Sequence, residues 1–204
     1  PAPTPEPTFE QTQEPPAIDV ERVRKRVGNA ISRAFAAYGE QDFAAATREL
    51  DAVADVALDD QQAADRLHRW RQFDVYAREY PRYRDEALGS AAATAATYDL
   101  GKRQIGVIEL NAKEFIYRDS RQPGRNLRVP KNRIPSDVET ALVGAWFDRD
   151  GRAANQLFLG AGALTRRTPD LKAARRAWEA AAAGGEPHGS LLLQILEDPA
   201  IRGR

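Results

Sequence analysis

The sequence predicts an α+β fold, mostly α, with antiparallel helical hairpins flanking a small three- or four-stranded antiparallel β meander. Three observations predict it. Apolar residues recur at three- and four-residue spacing through both ends of the chain, the stripe of amphipathic helices. Between these ends, residues 97–134 become β-branched and aromatic and are cut by turn residues, as a short pleated sheet requires. The first two helical patterns are separated by only a few residues, so they must fold back antiparallel.

Residues 1–17 contain PAPTPEPTFEQTQEPP, with six prolines in sixteen positions. Such a stretch carries too little apolar surface to pack and favours extended polyproline conformation. It reads as a disordered linker, the inside of a tether. The next expected unit, residues 18–96, opens with a helix from Ile18 to Tyr38. Val20, Val23, Val27, Ala30, Ile31, Ala34 and Phe35 form its stripe, with Asp19 as N-cap and Gly39 as stop. A second helix spans Asp42 to Leu58, with Phe43, Ala46, Leu50, Val53 and Ala57 on one face. A third starts near Asp60 and keeps the spacing through Ala63, Leu67, Trp70, Phe73 and Ala77. Pro81 either opens a further helix or kinks a continuous one running towards Ala96.

Residues 97–134 form the β module. TYDL from Thr97 supplies a short leading strand, followed by QIGVIELNA from Gln104, EFIYRD from Glu114 and NLRVP from Asn126. Asn111 and the RQPG of Arg121 to Gly124 supply the turns. Residues 135–204 return to helix. One helix opens at Pro135-Ser136-Asp137 with Val138, Leu142, Ala145 and Trp146 inward, and DRDG at Asp148 stops it. Ala153 to Leu164, Leu171 to Ala183 and Ser190 to Leu196 complete a C-terminal bundle, with Gly184 and Gly185 as a stop.

Thirty basic and thirty acidic residues cancel, so no global field draws the chain to nucleic acid or an anionic membrane. With no cysteine, disulfides and cysteine-type metal sites are excluded. No apolar run approaches the ~20 residues that span a bilayer.

Asp42 and Asp170 begin two similar stretches. Over fourteen positions Asp42/Asp170, Ala45/Ala173, Ala46/Ala174, Arg48/Arg176, Ala52/Ala180 and Ala54/Ala182 are identical. Leu50 and Trp178 are the matching large residues. Small residues at the fourth and eleventh positions let a preceding helix approach closely, and the large one fills the groove. This pattern resembles the second helix of tetratricopeptide or Sel1-like repeats, although the copies lie far apart and the first-helix signature is missing. The resemblance implies helical hairpins that bind peptides or partner proteins. The segment ending in Val129-Pro130-Lys131-Asn132-Arg133-Ile134 is similar to the SH3-like module of an endocytic cytoskeletal adaptor, also met in bacterial envelope proteins. That likeness implies a protein-interaction fold without chemistry.

Six basic residues, Arg118, Arg121, Arg125, Arg128, Lys131 and Arg133, stand against a single acid, Asp119, across residues 118–133. They read first as a solvated edge, then as a face for an acidic protein, and last as an RNA or single-stranded DNA surface. Trp70, Phe73, Tyr76, Tyr80 and Tyr83 read as core, with Tyr80 and Tyr83 the exposed members available to a partner. His68 and His188 lack metal-ligand spacing, and no nucleophile elbow, phosphate loop or dinucleotide fingerprint occurs. No cofactor and no catalytic residue is therefore expected. The sequence points to a non-catalytic protein-interaction or scaffold module tethered by its proline-rich linker. The alternative is nucleic-acid binding through residues 118–133. A bacterial cell envelope or secreted setting is the expected one, with a cytoplasmic setting as the alternative.

Overall fold

The computed structural model describes residues 19–202. The proline-rich stretch of residues 1–17 lies outside them, so the linker expectation concerns residues the structure does not describe. The fold is α+β and mostly α, with a four-stranded antiparallel sheet inserted between helical hairpins.

Helices α1 (Val20–Gly39) and α2 (Phe43–Asp51) form the first hairpin. Asp19 caps α1 by accepting from the Arg22 N–H, and Asp42 caps α2 by accepting from the Ala45 N–H. A second hairpin joins α6 (Asn155–Leu164) to α7 (Leu171–Ala183). Asp170 caps α7 through the Ala173 N–H at 2.9 Å, the same bond at the matching position. Ala46 and Ala174 are both completely buried, as are Leu50 and Trp178. The two stretches therefore do the same local work in two hairpins.

They part at their ends. The expected helix to Leu58 stops at Asp51, and a short α3 (Ala54–Ala57) follows. Asp51, Asp55, Asp59 and Asp60 crowd what would be its C-terminal end, where the helix dipole disfavours carboxylates. The matching part of α7 is a run of alanines with the best helix propensity, and it continues to Ala183. Gly39 is not the left-handed stop expected of it. That conformation falls to Gln41, with φ 63°, while the Asp42 N–H bonds the Ala37 carbonyl. The same six-residue closure recurs after α4 with Ala95 (φ 46°) and after α7 with Gly185 (φ 88°).

The α4 helix (Gln61–Ala93) is continuous, with Pro81 inside it. A proline in a helix interior costs about 3 kcal/mol, and burial on both sides offsets it. Leu67, Trp70, Phe73 and Ala77 pack into the core shared by α1, α2, α6, α7 and the C-terminal segments. Leu88 and Ala91 pack instead beneath the sheet. Between them Tyr80 and Ala87 join Val143 and Phe147. One helix thus passes through all three clusters.

Strands β1 (Thr97–Asp99), β2 (Gln104–Leu110), β3 (Glu114–Asp119) and β4 (Asn126–Pro130) pair in chain order. Val107 lies opposite Tyr117 and Phe115 opposite Val129, so one face is apolar and covers α4. At the sheet's end Asp119 accepts from the Arg121 backbone N–H and, at 2.5 Å, from Arg103. These donors hold its carboxyl well below the usual range, at about 2, despite its burial.

A 3₁₀ turn (Lys131–Arg133) leads to α5 (Ser136–Phe147). Its buried face carries Val138, Leu142, Val143 and Phe147, while Ala145 is exposed, against expectation. The last expected helix starts earlier, as α8 (Pro187–Leu193), because Pro187 is preset for a first helical turn. A 3₁₀ turn (Gln194–Glu197) and α9 (Pro199–Arg202) follow. Arg66 clamps this end to α4. Its guanidinium donates twice to Asp198, at 2.8 and 2.6 Å, and the Trp70 indole N–H adds a third bond.

Candidate functional site

An open cleft of about 1180 Å³ lies where four parts of the fold meet. The α1–α2 turn supplies Glu40 and Gln41, and the middle of α4 supplies Tyr80 and Arg84. The 3₁₀ turn and the start of α5 bring Arg133 and Glu139. The α6–α7 loop brings Arg166, Arg167 and Asp170, and the first turn of α7 brings Lys172. Gln41 ties two of these parts together, its side-chain N–H donating to the Thr165 carbonyl at 2.6 Å.

Glu139 is the internal anchor. Arg84 donates to it at 2.6 Å and Tyr80 at 3.3 Å, and Arg166 stands 3.9 Å away. A second Arg84 nitrogen donates to the Lys131 carbonyl, fixing the 3₁₀ turn against α4. Burial, then the Glu139 charge, push the Tyr80 hydroxyl above its ordinary pKa. Asp170 is occupied as the cap of α7. By contrast Arg133, Arg167 and Lys172 are exposed, and none has a hydrogen-bond or ion-pair partner among the described residues. Five cations thus face three carboxylates across the cleft, and two of those carboxylates are already engaged.

The sequence-predicted site residues are scattered over the surface. Arg118 and Arg128 project from the outer sheet face, where Arg118 binds Asn126 and Arg128 lies 3.5 Å from Glu114. Arg121 and Arg125 sit at the β3–β4 turn. Lys131 is drawn to Asp85 at 2.8 Å, and only Arg133 of the six lines the cleft. Arg118 and Arg128 thus share the outer sheet face, whereas Arg121 and Arg125 lie at the turn, Lys131 is held by Asp85 and Arg133 turns to the cleft. Tyr80 and Tyr83 are not the exposed pair expected. Tyr80 is 6 % exposed, and Tyr83 is half-buried against Trp146, Phe147 and Phe158, with ring centroids at 6.1, 5.7 and 4.8 Å.

Arg84, Arg166, Arg167 and Lys172 were not among the candidates. The signal for three of them was RRTPDLK, a basic loop running into a capped helix. His68 is exposed, and His188 shares a 2.5 Å hydrogen bond with the Tyr76 hydroxyl. Among the described residues no three His, Asp or Glu are grouped to hold a metal, and no helix is long and apolar enough to cross a membrane. The cleft's free hydroxyls, Ser136 and Thr168, have no base bonded to them among the described residues. The chain matches no protein-family model, no curated protein and no solved structure.

Proposed function

We propose that this chain is a non-catalytic protein-interaction module whose cleft receives an extended acidic stretch of a partner protein, with residues 1–17 as its tether. One observation carries the reading. Arg133, Arg167 and Lys172 reach one cleft from separate parts of the fold, none has an ion-pair partner among the described residues, and Glu40 is the one carboxylate of the cleft left unengaged beside them. Unpaired like charges in one cleft repel, and a bound polyanionic segment removes that cost while screening by salt weakens it. Glu139, Arg84 and Arg166 brace each other and supply a fixed wall.

The alternative, RNA or single-stranded DNA on residues 118–133, also offers negative charge, but on a different surface. Labelled acidic peptide and labelled single-stranded RNA, each titrated at low and high salt, separate the two. Peptide binding lost on Arg167→Ala with Lys172→Ala supports the cleft. RNA binding lost on Arg125→Ala with Arg128→Ala, without peptide binding, replaces this reading.

A further inference from the structure

We infer that the cleft's ligand carries one large apolar side chain among its carboxylates, because an apolar side pocket opens from the same wall. This rests on the acidic-peptide reading and specifies its sequence. The pocket, of about 220 Å³, lies between α5, α6 and α7, and shares Tyr80 and Arg166 with the cleft. Part of its wall is made of small residues: Ala163 and Ala177 are buried, and a Cβ built on Gly144 would meet nothing within 4 Å. At about 30 Å³ per water in the liquid, that space equals about seven waters, close to the heavy atoms of one phenylalanine side chain.

The rim decides the occupant. Arg166 and Arg176 both line the pocket; Arg166 donates to Thr140 at 2.8 Å, and Arg176 has no partner among the described residues. An apolar pocket edged by guanidinium groups accepts a Leu, Ile or Phe whose neighbours in sequence are Asp or Glu. A purely acidic ligand would leave the pocket wet, and an apolar ligand without carboxylates would leave Arg176 unmatched. Burial of one such side chain is worth about 10- to 100-fold in affinity.

The test compares two short Asp/Glu peptides, one with a central Leu and one with a central Ser, on the full chain and on Gly144→Leu. That substitution fills the pocket from α5, and it raises local helix propensity. The Leu peptide is expected to bind the unaltered protein about 10- to 100-fold more tightly, and Gly144→Leu is expected to erase that preference while still binding the Ser peptide. Equal binding of the two peptides by the unaltered protein overturns this inference and leaves the acidic-peptide reading standing. Binding of neither overturns that reading itself. The comparison on the unaltered protein decides between these outcomes even if the variant does not fold, and a folded variant that keeps the preference also overturns the pocket.

Discussion

Gly162 on α6 lies flat beneath the ring of Tyr80 on α4, so close that a Cβ there would stand 2.2 Å from the ring's Cζ. Two residues earlier, Gly160 meets the Trp178 indole in the same way, also at 2.2 Å. The Trp178 N–H then reaches the Leu157 carbonyl at 3.2 Å. These two glycines seat α6 against α4 on one side and α7 on the other, and so set the back wall of the cleft.

Gly162→Ala and Gly160→Ala should each destabilise the protein by about 1–3 kcal/mol, since overpacking a filled core forces rings and backbone to move. Helix propensity alone would favour alanine by up to about 1 kcal/mol, so the sign separates the two effects. Urea denaturation checks it.

Ala95 should show the opposite behaviour. It is exposed and holds φ 46° after α4, where a Cβ is unfavourable and glycine is not. Ala95→Gly is expected to stabilise by about 0.5–1 kcal/mol despite the added freedom of the unfolded chain. The midpoint of chemical denaturation reports it.

Tyr38 is fully buried and donates to Asp74 at 2.6 Å, while Thr47 and Arg78 hold the same carboxylate. Asp74→Ala leaves the Tyr38 hydroxyl without a partner and should cost about 1–3 kcal/mol. Burial, then the Asp74 charge, raise the Tyr38 pKa above its ordinary value. The stability this gives is complete below the unfolded tyrosine pKa of about 10 and declines as pH rises beyond it. Alkaline unfolding should therefore shift to higher pH in Tyr38→Phe, once its lower baseline stability is allowed for.

At the acid end Asp119 and Asp198 both have depressed pKa values. Backbone and guanidinium donors lower Asp119 to about 2. Burial opposes the shift at Asp198, where Arg66, the Ala200 N–H and Trp70 together prevail. Stability from both is present above the unfolded carboxylate range near 4 and is lost as pH falls through the folded values. Circular dichroism from pH 5 to 2 should show this loss, and Asp119→Asn should flatten its share of the slope.

Much of the fold was legible because its determinants are local. Asp19, Asp42 and Asp170 announce helix starts by a bond three residues away, and Ala46 and Ala174 announce close approach within one helix. The strands were legible from β-branched and aromatic runs between turns. What escaped depends on distant partners. Nothing near Gly160 or Gly162 says that an aromatic ring from another helix occupies the space a side chain would take. The left-handed turns at Gln41 and Ala95 lack the glycine that marks them elsewhere. The cleft gathers residues from positions 39 to 172, and a set so dispersed leaves no mark in the sequence of the kind a contiguous basic run such as 118–133 does.

The most direct test of the central claim is calorimetric titration of one acidic, leucine-bearing peptide into the full chain and into the Arg133→Glu, Arg167→Glu, Lys172→Glu triple variant. At about 0.5–1 kcal/mol for each exposed ion pair, reversal of three should weaken binding by at least about 10- to 100-fold and change its dependence on salt. Equal affinity and equal salt dependence in the two proteins would contradict the account.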